Sequence, residues 1–313
     1  MSPKQKLLTK PLVVAIMGTT SAGKTAAAVA LARAFKGEII SADSRQVYRG
    51  LDIGTGKDLA EYGRGRQRVR YHLLDVADPK RRFNLARYQG LAKKAILEVV
   101  GRGHLPLVVG GSGLYLQALV ENYELPPRTA TAAELAAWQQ LGAEALYEEL
   151  TQRRPDFARR LNESDRHNAR RLRRYLEIAA VGLEPGTKRE SPFNWRLLGI
   201  RQPEAMLKSR IKERLQERLE KQGLVAEVER LHKNGLSWAR LDSLGLEYRF
   251  ISRYLRGQIS SEEAVSQLET ALWRFAKRQQ TWFRRWEKQG AEIVWVETIL
   301  EAKDQLESWL RNS

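Results

Sequence analysis

Two apolar patterns take turns along the chain. Short runs with little polar interruption recur at Leu12-Val13-Val14-Ala15-Ile16-Met17, at 38–42, at 71–76, at Leu105-Pro106-Leu107-Val108-Val109, at 194–200 and at 292–296. Runs of this length without polar alternation predict strands buried on both faces of a sheet. Between them the spacing changes to three or four residues. Leu85, Tyr88, Leu91, Ala95 and Val99 predict a helix over 84–100, and Ala26–Ala32 is a run of good helix formers. Strands alternating with helices predict a parallel α/β sheet with helices against it.

From about Glu121 to Ser191 the strand pattern stops and only helical spacings remain. Pro126-Pro127 marks the entry, and Glu184-Pro185-Gly186 with Ser191-Pro192 marks the exit. The chain is therefore expected to be a core domain of residues 1–121 and 192–313 with an all-helical domain, 122–191, inserted in it. Pro203 opens a helix on which Arg210 and Arg214, four apart, share a face. Val265, Leu268, Leu272, Phe275, Ala276, Trp282, Phe283 and Trp286 predict the stripe of a long helix, read as core rather than as a base-stacking platform. Arg274, Lys277, Arg278, Arg284 and Arg285 lie off that stripe.

The 313 residues suit two domains. Lys and Arg number 54 against 37 Asp and Glu, a net charge of +17. That excess points to a polyanionic partner, nucleic acid or a membrane surface. Arg153, Arg154, Arg159, Arg160, Arg166, Arg170, Arg171, Arg173 and Arg174 concentrate in the insertion with few acids between them. Such a run can be a solvated face. Arginine nevertheless suits forked contact with phosphate better than lysine does, so nucleic-acid contact is expected there. There is no cysteine, and His72, His104, His167 and His232 are scattered, so neither a disulfide nor a zinc cluster is expected. No apolar run approaches the ~20 residues of a membrane span. Met1–Lys10 is basic and lacks the apolar core of a signal peptide. A soluble cytoplasmic protein is expected, without a membrane partner.

The first apolar run leads into Gly18-Thr19-Thr20-Ser21-Ala22-Gly23-Lys24-Thr25, which matches the phosphate-binding loop G-x-x-x-x-G-K-[ST] in its required strand–loop–helix setting. Its backbone N–H groups and the helix N-terminus face an anion, Lys24 adds a full charge, and the Thr25 hydroxyl can ligate magnesium. The loop binds a di- or triphosphate. Asp43, after the second strand, falls at the carboxyl edge of the sheet with that loop, where open α/β sheets bind ligands. It reads equally well as a catalytic carboxylate and as the N-cap of a helix starting at Ser44. Gly110-Gly111-Ser112-Gly113 follows another strand and offers a second close approach of backbone to an anion, or a plain tight turn.

Together these stretches resemble the tRNA dimethylallyltransferases, also called tRNA isopentenyltransferases, over nearly the whole chain. The phosphate loop is widely shared. More specific are 43–48, DSRQVY, with 51–55, LDIGT; 110–115, GGSGLY; and 276–284, AKRQQTWFR, all in matching order. The resemblance implies a P-loop NTPase-like parallel sheet flanked by helices. It implies transfer of a dimethylallyl group from dimethylallyl diphosphate to N6 of the adenine 3′ of the anticodon, position 37, in tRNAs reading UNN codons. Asp43 would be the general base, and Gly18–Thr25 the diphosphate loop, with Thr25 at its Mg2+. Ser112 would lie near both substrates, with Arg210 or Arg214 as a diphosphate clamp. Asp43, Ser44, Arg45 and Gln46, with Arg170, Arg171, Arg173 and Arg174, would touch the anticodon stem-loop of a tRNA bound by a monomer. Three departures stand out. Ser112 is more often threonine. D-I-G-T-A-K-P reads here Asp52-Ile53-Gly54-Thr55-Gly56-Lys57-Asp58. A stretch near Q-x-x-G-Y-[KR] reads Ser243-Leu244-Gly245-Leu246-Glu247-Tyr248-Arg249, where an acid intrudes.

The chemistry suits these parts. An adenine amino group is a weak nucleophile that sheds a proton as the C–N bond forms, and a carboxylate within reach takes it. Diphosphate leaves with growing charge, which N–H groups, Lys24, magnesium and an arginine stabilise. Three alternatives share features with this reading. A small-molecule kinase or an adenylate isopentenyltransferase leaves the arginine-rich insertion without a purpose. A non-enzymatic RNA-binding switch leaves Asp43 without one.

Overall fold

The computed structural model describes residues 10–65, 68–125, 130–184 and 186–313. The basic stretch before Lys10, and Pro126, Pro127 and Pro185 at the edges of the insertion, lie outside the described residues. The chain divides into two units, Met1–Val120 with Ser191–Ser313, and Glu121–Glu190.

The larger unit is built on six parallel strands among the described residues: β1 Leu12–Gly18, β2 Gly37–Ser41, β3 Tyr71–His72, β4 Leu105–Gly110, β5 Asn194–Ile200 and β6 Ile293–Val296. Their order is β3-β2-β4-β1-β5-β6. β1 pairs with β4 from Val14↔Leu107 and with β5 from Leu12↔Asn194. Side chains of a strand alternate between faces. Val13, Ala15 and Met17 join one apolar cluster with Tyr88, Ile96, Leu116, Phe283 and Trp286. Val14 and Ile16 join another with Leu31, Leu107, Leu198 and Leu306. Both faces of β1 are covered, which is why its sequence is apolar without alternation.

The helices are α1 Lys24–Ala34, α2 Leu85–Gly101 and α3 Gly113–Val120, then α4 Ala132–Gln140, α5 Ala143–Arg153, α6 Pro155–Arg159, α7 Glu163–Arg166 and α8 Ala169–Ala179 in the smaller unit. The larger unit resumes with α9 Glu204–Glu220, α10 Leu224–Lys233, α11 Trp238–Leu244, α12 Leu246–Leu255, α13 Ser261–Lys288 and α14 Ile299–Arg311. α2 starts on the Asn84 side chain, which accepts the Arg87 N–H, and α13 on a Ser260–Glu263 capping box. Leu224, Val228, Leu241, Leu244 and Ile251 of α10–α12 pack on Val47, Tyr48 and Leu51, giving the loop after β2 an apolar base of its own.

Two expectations for this unit change. The strand over 71–76 stops at His72, because Leu73 and Asp75 adopt φ of 63° and 58°, a left-handed backbone that cannot extend a strand. Residues 44–47 form turns, not a helix. Val47 and Tyr48 are drawn into the α10–α12 cluster before a helical turn closes.

The smaller unit packs Trp138, Leu146, Leu150, Phe157, Leu172 and Leu176 of α4–α8 into one cluster. Its arginine run is less isolated than the linear sequence implies. Arg171 pairs with Asp165, Arg174 with Glu177 at 2.7 Å, Arg159 with Asp156 at 2.7 Å and Arg153 with Glu149 at 2.8 Å. Residues 121–190 hold 12 Lys and Arg against 12 Asp and Glu, so the net +17 resides in the larger unit, with 42 basic against 25 acidic residues.

Candidate active site

The phosphate loop follows β1 directly, and Gly23, at φ 91°, turns it into α1. Lys24 arches back, its Nζ donating to the Thr19 carbonyl at 2.6 Å. Burial pushes the Lys24 ammonium down from 10.5 to about 8, offset only in part by the Asp43 and Asp58 carboxylates nearby. Thr20, Ser21, Lys24 and Thr25 line a cleft of about 620 Å³ at the carboxyl edge of the sheet.

Asp43, Ser44, Arg45, Gln46, Ser112 and Arg214 line the same cleft. Asp43 Oδ1 accepts the N–H groups of Arg45 at 2.8 Å and Gln46 at 3.4 Å. The capping geometry expected of Asp43 is thus present, but on a turn. It uses one oxygen, and Oδ2 accepts no hydrogen bond from the described residues. Ser112 Oγ accepts the Ser44 N–H at 3.1 Å, tying the turn after β4 to the turn after β2. Gln46 is committed within the larger unit: Oε1 accepts from Ser41 Oγ at 3.0 Å and Nε2 donates to the Gly56 carbonyl at 2.9 Å. Arg170, Arg171, Arg173 and Arg174 belong to α8 of the other unit.

α9 lines the cleft with Arg214 and Arg218, and Arg210, four residues before Arg214, stands outside that lining. A Cβ on Gly23 would lie 3.8 Å from Arg210 Nη1, so Arg210 stands beside the phosphate loop. Arg214 pairs with Asp58. Arg218, one turn further and missed from the sequence, is buried and meets Glu247 at 3.3 Å. Burial lowers the Arg218 pKa and raises that of Glu247, while each charge counteracts the shift of the other. The departures from the family pattern converge here. Asp58 and Glu247 each supply the acid for an α9 arginine, and a Cβ on Gly56 would fall 2.1 Å from Arg218 Nη2.

The loop over 52–58 hangs on two further residues that sequence reasoning missed. Buried Glu227 accepts the N–H groups of Asp52, Ile53 and Gly54 at 3.0, 2.8 and 3.1 Å, and the Tyr248 hydroxyl at 2.7 Å. Fully buried Lys57 donates to the Tyr48 carbonyl at 2.9 Å, Asp52 at 2.6 Å and Asp75 at 2.5 Å. No local signal marks Glu227, which lies on α10, remote in sequence from the loop it holds.

α13 also enters the site. Leu268, Leu272, Ala276, Phe283 and Trp286 are buried as expected, but Leu272 also lines the cleft, together with Phe275 and Trp282. One stripe therefore serves both core and cleft, and the spacing alone does not separate them. Gln279, on the same helix, accepts the Thr20 N–H at 2.8 Å and donates to the Gly111 carbonyl at 2.9 Å. The glycines after β4 answer to this helix. A Cβ on Gly111 would meet Gln279 Nε2 at 2.4 Å, and one on Gly113 would meet Trp282 Cδ1 at 2.3 Å.

Residues 46–286 match the family described as IPP transferase, and residues 11–77 match isopentenyl transferase. The chain is 45% identical to tRNA dimethylallyltransferase 1 of Syntrophus aciditrophicus, over 96% of this chain and 99% of that one. It is 43% identical to tRNA dimethylallyltransferase 2 of Treponema denticola, over 90% and 95%. The crystal structure of the full-length tRNA isopentenylpyrophosphate transferase from Bacillus halodurans superposes with a TM-score of 0.70 at 32% identity, over 97% of this chain and 98% of that one. A eukaryotic dimethylallyltransferase acting on tRNA superposes at 0.73 over 92% of this chain and 75% of that one; at 23% identity it shares the fold.

Proposed function

The chain belongs to the IPP transferase family, the tRNA dimethylallyltransferases, and on that premise we propose how its cleft transfers a dimethylallyl group from dimethylallyl diphosphate to an adenine of tRNA. We place the transfer at N6 of the adenine 3′ of the anticodon, position 37, in tRNAs reading UNN codons, in the cytoplasm. One observation carries the assignment of roles. The phosphate loop and a carboxylate with one uncommitted oxygen share a single cleft, close enough for Asp43 to act on the charge of Lys24.

The diphosphate lies against the N–H groups at the start of α1, with Lys24 and Arg210 at its oxygens. Arg214, held by Asp58, lines the same side. N6 attacks C1 of the dimethylallyl group as the C1–O bond breaks and its electron pair leaves with the diphosphate. Lys24 and the arginines stabilise that growing charge in a half-enclosed site, where each such contact is worth more than in water. Asp43 Oδ2 accepts the N6 proton, while Oδ1 stays bound to the turn that aims it. Ser112, bound to the Ser44 N–H, holds the acceptor side of the cleft. An adenine must leave its stack to reach this point, at a cost of a few kcal/mol. Phe275 and Trp282 supply apolar surface in the cleft.

Thr25, in the first turn of α1, fits a magnesium ion. The Thr25 hydroxyl is the hard oxygen donor this ion takes, and the bound diphosphate would supply further oxygens. A magnesium ion held there would neutralise part of the diphosphate's charge.

The test is a competition: labelled dimethylallyl diphosphate is incubated with the protein, an anticodon stem-loop and AMP. Label on the stem-loop adenine is expected. Label on AMP alone replaces the tRNA reading with free-nucleotide prenylation.

A further inference from the structure

Gln279 connects two stretches that lie 259 and 168 residues away from it. Its partners fix its amide orientation, because a backbone N–H only donates and a carbonyl only accepts. Oε1 therefore faces Thr20 in the phosphate loop and Nε2 faces Gly111 in the turn that carries Ser112. The residue is 7% exposed, so a lost bond is not readily replaced by water. Gly111 is the second half of the device, since any larger residue there would place its Cβ 2.4 Å from Nε2. The run over 110–113 and the run over 276–284 thus share one physical reason.

The geometry points to Gln279 as a positioning residue that sets the spacing between the diphosphate loop and the turn after β4, whose Ser112 is bonded to Ser44 and so to the turn that carries Asp43. Gln279 lines the same cleft, but its amide is committed to the two loops on either side. It fixes how far the breaking C1–O bond lies from the base that takes the N6 proton. The inference rests on the roles proposed above. Transfer needs its reacting atoms held near contact, and a shift of about 1 Å costs up to ~10²-fold in rate. Donor affinity depends instead on Lys24, Arg210 and the N–H groups of α1, none of which Gln279 touches.

Three variants test this: Gln279→Met, of similar length but without the amide; Gly111→Ala; and Gly111→Ala combined with Gln279→Ala. The readouts are dimethylallyl diphosphate affinity by calorimetry, single-turnover transfer to an anticodon stem-loop with both substrates saturating, and melting temperature. Gln279→Met is expected to bind donor within about 3-fold of wild type while transfer slows roughly 10- to 100-fold. Gly111→Ala is expected to slow transfer likewise, and to add little once Gln279→Ala has removed the facing side chain, the non-additivity of contacting residues. Near-wild-type transfer by Gln279→Met overturns the inference. So does loss of donor affinity in proportion to rate. If Gln279→Met does not fold, Gly111→Ala decides by the same two readouts. Absence of transfer by the wild-type protein removes the functional reading instead.

Discussion

At the scale of the residue, Asp43 carries the sharpest consequence. Its two oxygens have separate duties, one holding the Arg45 and Gln46 N–H groups and the other uncommitted within the described residues. Asparagine keeps an oxygen for the first duty but cannot accept a proton in the second. Asp43→Asn should therefore retain melting temperature and donor affinity while single-turnover transfer falls roughly 10²–10⁴-fold. A variant that transfers at the wild-type rate reduces Asp43 to a structural residue of the turn. The sequence left these two readings of Asp43 equally open. The structure makes them compatible, because a carboxylate has two acceptors and a turn needs one. Glu247 shows the opposite limit. Its place in the motif made it an intruder, and only packing brings it to Arg218 across a gap of 29 residues.

At the scale of the element, β2 carries the turn of Asp43 at its carboxyl end and a charge cluster near its start. Glu38 accepts from Arg102 at 2.9 and 2.7 Å and stands 2.6 Å from His72 and 2.7 Å from His104. Burial alone would push its carboxyl up. The hydrogen bonds from Arg102, His72 and His104 more than offset this and hold it down at about 2, from an ordinary 4.5. A depressed carboxyl pKa stabilises the fold above the unfolded value and loses that contribution as pH falls toward the folded one. Denaturant titrations at pH 5, 4 and 3 should show falling stability, with a shallower fall in Glu38→Gln. Parallel curves for the two proteins remove Glu38 from the acid response. The strands and the long helices were legible in the sequence, because burial on both faces leaves an unbroken apolar run and burial on one face leaves a stripe. α10, α11 and α12 were not singled out, although their residues form the base under 47–51. Leu224, Val228 and Leu231 do carry helical spacing, but spacing does not say that the loop over 47–51 is what they pack on.

At the scale of the whole molecule, the charge is unevenly divided. The smaller unit is neutral by count, with Arg153, Arg159, Arg171 and Arg174 among the arginines paired to acids, and the excess of +17 belongs to the larger unit. tRNA affinity should still fall steeply with salt, because each phosphate contact releases counterions. Arg171 and Arg174 are already paired, so reversing them would also disturb the unit that carries them. Arg170 is exposed on α8 and makes the cleaner probe. Arg170→Glu is expected to weaken stem-loop binding and lower the salt slope by about 1, with donor affinity unchanged. An unaltered slope assigns the phosphate contacts to other residues. The sequence alone determined the strands of the sheet and the phosphate-loop motif, and it singled out Lys24, Asp43 and Ser112 as candidates. These follow from local spacing and from motifs in which neighbours along the chain are neighbours in space. Only the tertiary structure decided that Gln279 bridges two loops, that Glu227 suspends a third, and that Arg218 and Glu247 form a buried pair. Each joins residues tens to hundreds of positions apart, and chain folding alone brings such groups within hydrogen-bonding distance.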